Sequence, residues 1–222
     1  MINNNPIPQA DSVRDLGITV TSDLKWASYI SKITSKANIL SYNIIRSFSS
    51  SNIIVYTNLF KTYIRPILEY NTVVWSPHLV SDIQRVEKVQ RRFTKMVCQK
   101  TNTKFSSYQD RLNIMNLDTL EIRRVRFDLM FMYKILNNIV DVDQNDLFKI
   151  NRAAKIYNLR SHNLQVQQDK YSGSNIREHF FTERVIPTWN VLPIKIIESP
   201  NLNTFKARLS NFNIKKIYAS KL

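Results

Sequence analysis

The sequence predicts a mainly α fold with a short strand or hairpin near its start and a minor β element around residues 158–172. Three observations carry that expectation. Apolar residues recur at helical intervals through most of the chain, only two glycines (Gly17 and Gly173) occur in 222 residues, and prolines are sparse before Pro187, so long helices are permitted. With 43% hydrophobic and 11% aromatic residues, the chain has enough apolar material to close a core in one domain or two small ones.

Leu16, Ile18 and Val20 alternate with Gly17 and Thr19, a period of two that predicts a half-buried strand. From Trp26 the apolar set becomes Trp26, Ile30, Ile33, Ala37, Leu40 and Ile44, one stripe along a helix that leaves Lys32, Lys36 and Asn43 outside it. The run Ser47–Asn52 breaks this period, and Ser51 is the expected N-cap of a second helix, its hydroxyl accepting an orphan backbone N–H. That helix carries Ile53, Tyr56, Phe60, Tyr63, Ile64 and Ile67 toward the core, and Pro66 should kink or restart it. Leu117 to Leu136 is apolar nearly all round, as in a helix buried between layers. Residues 137–151 read as a polar connection and 158–174 as a weakly alternating strand pair around Leu164 and Val166. The tail returns to helix from Phe180, is interrupted by Pro187, Pro193 and Pro200, and ends in a basic helix with Phe205, Leu209 and Phe212. The general richness in asparagine reads as a codon bias.

Lysine and arginine outnumber aspartate and glutamate by 32 to 17, a net charge of +15 that makes nucleic acid the leading partner. The longest apolar runs, such as Leu129–Tyr133, fall short of the ~18 residues needed to span a bilayer, so no membrane partner is expected. The start, Met1–Pro6, lacks the pattern of a secretory signal, and the lone Cys98 supports neither a disulfide framework nor a cysteine zinc site. The expected location is therefore intracellular, nuclear or cytoplasmic.

Two glycines cannot build a P-loop or a dinucleotide fingerprint, because both need closely spaced glycines to let backbone amides approach phosphate. The segment Asp141–Asp146 begins like a calcium loop but has Asp146 where glycine belongs and Arg152 where the bidentate glutamate belongs, so it reads as a solvated turn. No Tyr/Phe-x-Asp-Asp box supplies paired carboxylates for nucleotide transfer, His78, His162 and His179 lack metal-ligand spacing, and no Gly-x-Ser-x-Gly elbow frames a nucleophile. No catalytic residue, metal site or cofactor is predicted.

The most informative segment is Leu79 to Val97. Ile83, Val86, Val89, Phe93, Met96 and Val97 gather on one side of a helix, and Arg85, Lys88, Arg91, Arg92 and Lys95 on the other. Glu87 stands four residues before Arg91, an orientation that supports the helix. A solvated helix normally mixes signs, so a one-signed flank on a cationic chain points to phosphate contact by these five residues. Tyr56, Phe60 and Tyr63 could stack bases, but their helical spacing favours the core.

Several of these segments, in order, resemble the region that follows the polymerase palm in LINE-type, jockey-like non-LTR retrotransposon reverse transcriptases. The resemblance is carried by Arg14–Ile18 with Leu24–Trp26, by Tyr63–Tyr70 (Arg-Pro-Ile-Leu-Glu-Tyr) with Trp75–Pro77, and by Ile83–Phe93. It continues through Tyr108–Leu112, Leu120–Arg124 and Asp128 to Leu136, then Phe180–Phe181, Arg184, Trp189–Pro193 and Phe205–Leu209. It implies a remnant of the palm's end over 1–22, a helical thumb-like domain over 23–137 and a carboxy-terminal extension over 138–222, a piece of an RNA-directed DNA polymerase that serves transposition. The resemblance implies a non-catalytic role for this chain, holding RNA and DNA as the template-primer backbone beside the other polymerase domains; magnesium would be needed only by the palm. Two alternatives stand beside it. One is nucleotide transfer by carboxylates that do not match a known box. The other is a helical module that docks on a protein through apolar faces, whose mark would be an exposed patch at Tyr56, Phe60 or Trp75 with scattered basic residues.

Overall fold

The computed structural model describes residues 10–150, 164–168 and 177–214, and over these the fold is mainly helical with one antiparallel hairpin near the start. His162 and most of the expected β element at 158–172 lie outside the described residues. Within them, Val166 makes an isolated antiparallel bridge to Ile150. The chain divides into two compact units, the first reaching to Tyr70 and resuming over Pro77–Leu120, the second comprising Asn71–Ser76 and the residues from Glu121. The division falls at the start of a long helix.

In the first unit, strands β1 (Ser12–Asp15) and β2 (Ile18–Thr21) pair with Asp15 opposite Ile18, leaving a two-residue turn of Leu16 and Gly17. Both turn residues have positive φ, 43° and 86°, the geometry whose twist matches paired strands. Leu16, expected in the strand, is thus at the turn and 77% exposed, because alternation alone does not distinguish a strand residue from a turn residue. Helix α1 (Ala27–Ser47) buries Ile30, Ile33, Ala37 and Ile44 as expected, together with Tyr29, Thr34 and Ser41. The hydroxyls of Thr34 and Ser41 donate to the carbonyls of Ile30 and Ala37, at 2.7 and 2.6 Å, and so become tolerable on a buried face.

Helix α2 (Ile53–Leu59) is capped by Asn52 rather than Ser51: its Oδ1 accepts the Ile54 N–H at 2.9 Å. A π turn over Phe60–Ile64 leads into α3 (Arg65–Glu69), with Pro66 in the first turn. Pro66 has no N–H and crowds the preceding turn, and the wider turn accommodates both effects. Tyr56, Phe60 and Ile64 are fully buried, but Tyr63 is 56% exposed. Helix α5 (Val80–Lys100) packs on α1, and α6 (Tyr108–Ile114) on α5, after a reciprocal capping box between Ser107 and Asp110.

The second unit contains the short α4 (Thr72–Trp75), α7 (Leu120–Leu136), α8 (Gln144–Leu147) and the tail helices α9 (Phe181–Arg184), α10 (Ile186–Trp189), α11 (Ile194–Ile197) and α12 (Leu202–Asn211). Its core joins Leu129, Met132 and Tyr133 to Trp189, Ile197, Phe205 and Leu209, with the Tyr133 and Phe205 rings stacked at 4.3 Å. Trp189 donates its indole N–H to the Leu164 carbonyl, and Asn190 clamps the Val166 backbone through both halves of its amide. Arg184 forks onto Asp128 at 2.9 and 3.0 Å and donates to the Val73 carbonyl, holding Asn71–Ser76 within this unit.

Asparagine has a structural use that composition did not suggest. Asn102, Asn116 and Asn138 follow α5, α6 and α7 with φ near 50°. Behind each, paired backbone bonds close the helix, as in Thr103 to Cys98 and Asn102 to Gln99. This is the Schellman motif, which usually takes glycine; in a chain with two glycines, asparagine fills the left-handed position.

Candidate nucleic-acid interface

Helix α5 begins after an uncapped Leu79 and ends in the asparagine motif at Asn102, so its 21 residues are continuous and keep one angular pattern. Val86, Val89, Phe93 and Val97 are buried, the Phe93 ring 5.1 Å from that of Phe60, and Ile83 and Met96 are half-buried at the edges. Arg85, Lys88, Arg91, Arg92 and Lys95 are all exposed. At 3.6 residues per turn they occupy an arc of about 120° and an axial length of ~15 Å. One strand of a duplex places about four phosphates along that length, at ~3.4 Å per charge.

The sign of the flank is set by what lies inside. Asp82 and Glu87, the acids of α5, are both 6% exposed. Glu87, expected to support the helix from its place four residues before Arg91, accepts the Leu120 N–H at 2.9 Å, the Tyr108 hydroxyl and the Gln90 amide at 3.4 Å. Burial, reinforced by the Glu87 charge, pushes the Tyr108 phenol well above its ordinary range, so it stays a donor. The Arg91 guanidinium lies 4.5 Å from the centre of the Tyr108 ring, which orients it without neutralising it. Among the described residues none of the five cations forms an ion pair. Lys100 belongs to a different set: it donates to the Ile45 carbonyl at 2.5 Å and covers Tyr56.

A second cationic feature of the same unit was not read from the sequence. Arg14, Lys32 and Lys36 line a recess of about 270 Å³ with Tyr29, Ile33 and Tyr70, beside the hairpin turn. The signal was present in α1, which contains no acidic residue over 21 positions. Tyr70 also donates to the Leu16 carbonyl at 3.0 Å, and Arg65 pairs with Glu69 at 3.6 Å, so the residues of the Tyr63–Tyr70 motif have structural partners.

Among the described residues no three of His, Cys, Asp and Glu converge as a metal would require. Asp143 N-caps α8, its Oδ1 accepting the Asn145 N–H at 2.8 Å, and the acids around it are exposed. Burial raises the Cys98 thiol above its usual range. No described helix is long and apolar enough to cross a membrane.

No family model matches the chain, and no solved structure matches it. Over 127 residues it is 27% identical to an uncharacterized protein of Caenorhabditis elegans. The match covers 57% of this chain and 64% of the worm protein, less than two thirds of that relative's length.

Proposed function

We propose that this chain is the thumb and carboxy-terminal extension of a non-LTR retrotransposon reverse transcriptase, and that it holds the phosphate backbone of a primer-template duplex along α5. The observation that supports this reading is the segregation of charge on α5: both acids turned inward, five cations outward, and, among the described residues, no ion pair to any of the five. Five exposed cations add little to the fold, since even a surface ion pair contributes only ~1 kcal/mol or less. It suits a polyanion, whose counterions are released as the cations replace them.

The family part of the proposal rests on the ordered sequence resemblance, and the physical part on the flank. Backbone contacts position a duplex without reading its bases, so sequence preference is slight. The reading as a protein-docking module loses its mark, because Tyr56, Phe60 and Trp75 are all fully buried. The test is a filter-binding titration of the full chain against a mixed-sequence RNA–DNA hybrid at several salt concentrations. Four phosphate contacts give a log–log slope of about −3 to −4. Binding that is absent or independent of salt overturns the proposal.

A further inference from the structure

The recess beside the hairpin turn gathers charge at one place, whereas α5 spreads it along a line. Arg14 comes from β1, opposite Thr19, and Lys32 and Lys36 stand one turn apart on α1. All three are exposed and line the same cavity of about 270 Å³. Among the described residues none of the three side chains makes a hydrogen bond or an ion pair. No acid is among the described lining residues. Like charges four residues apart destabilise a helix, and a third cation beside them adds to that cost. An anion in the recess removes it. The hairpin is held at this place by Tyr70. Its hydroxyl donates to the Leu16 carbonyl at 3.0 Å, and its ring comes within 3.8 Å of where a β-carbon on Gly17 would stand.

We infer that this recess binds a nucleoside phosphomonoester, as found at the end of a nucleic-acid strand or in a free mononucleotide. Three features select that ligand. A phosphomonoester carries nearly two negative charges at neutral pH, which three cations match better than the single charge of an internal phosphodiester. Tyr29, Ile67 and the half-exposed Tyr70 give the same cavity an aromatic and apolar lining, of use to a nucleoside and of none to an inorganic phosphate. The volume lies just below the range of pockets for drug-sized ligands, so there is room for one nucleotide and not for a run of them. The recess shares no residue with the α5 flank, and the inference does not rest on the duplex reading.

The probe is a 3′-fluorescein-labelled single-stranded tetranucleotide of mixed sequence, with either a 5′-phosphate or a 5′-hydroxyl, titrated with the full chain and followed by fluorescence anisotropy. The parent chain should prefer the phosphorylated form about fivefold, the effect of one charge contact. Lys32→Gln combined with Lys36→Gln, both exposed changes, should erase that preference. Far-UV circular dichroism identical to the parent's shows that the variant is folded. Adenosine 5′-monophosphate should displace the phosphorylated probe at a lower concentration than inorganic phosphate does. No preference by the parent, a preference kept by the double variant, or equal displacement by inorganic phosphate overturns the inference. So does equal displacement by an end-capped Asp-Glu-Asp-Glu peptide, because that makes the recess a site for any carboxylate. A variant with the five α5 cations changed to glutamine should keep the preference, and its loss there would place the phosphate on α5 and overturn the inference. A hybrid with 5′-hydroxyl ends has no phosphomonoester, so the duplex reading and this one fail independently.

Discussion

The two long helices of the chain treat charge in opposite ways. In α5 the acids are buried and the basic residues are exposed, so the helix shows one sign to its surroundings. In α7 Arg124 and Asp128 are both buried, and Arg184 joins Asp128 from α9. Glu87 accepts from an amide N–H, a phenol and a side-chain amide, while Arg85, Lys88, Arg91, Arg92 and Lys95 stand at the surface. Asp128 is satisfied by a guanidinium, so in the second unit charge is used for cohesion.

This comparison breaks most visibly at the ion pair. Arg184→Ala leaves Asp128 buried without its forked partner and frees the Val73 carbonyl, and the expected loss is about 3–5 kcal/mol in urea unfolding. A loss near zero would show that charge pairing in the second unit is incidental. Glu87→Ala is the counterpart in the first unit. It strands the Leu120 N–H and the Tyr108 hydroxyl, with an expected cost of about 1–3 kcal/mol in the same measurement, while duplex affinity at fixed salt rises or stays level. A fall in affinity would mean that Glu87 helps binding rather than the fold.

Smaller effects sharpen the account of helix ends. Asn116→Ala removes the short polar side chain that makes the left-handed position at the end of α6 tolerable and should cost about 1 kcal/mol, whereas Asn116→Gly, which has no β-carbon, should be neutral or stabilising. At the start of the same helix the Ser106 hydroxyl, then the Ser106 and Ser107 amides, hold the Asp110 carboxyl below its usual range. A depressed folded-state pKa adds stability that is present above the unfolded value and lost as pH falls through the folded one. Unfolding midpoints of the parent and Asp110→Asn should therefore differ at neutral pH and converge in acid, below the ordinary aspartate range.

Much of the fold was legible because periodicity is a direct imprint of burial. The stripes of α1, α5 and α7 follow from apolar spacing, and Pro66 marks the place where the helix changes to a π turn. What escaped was decided by tertiary partners. Thr34 and Ser41 count as polar in a sequence, yet local hydroxyl bonds let them into the core. The burial of Glu87 was not legible because its partners Tyr108 and Leu120 are distant in sequence. Leu16 looked like a strand residue because turn geometry depends on the pairing register. Of the candidate site, the cationic flank could be read from α5 alone. Of the recess of Arg14, Lys32 and Lys36, only the absence of acids from α1 could be read, since its assembly joins a hairpin to a helix.

The central claim is that the α5 flank meets phosphate. Its most direct test is the salt dependence of RNA–DNA hybrid binding by the parent chain and by a variant with Arg85, Lys88, Arg91, Arg92 and Lys95 all changed to glutamine. The exposed changes should leave the unfolding midpoint nearly unaltered, each within about 0.5 kcal/mol, and make the log–log slope shallower by about 3 to 4. A variant that keeps the parent's slope and affinity would contradict the account.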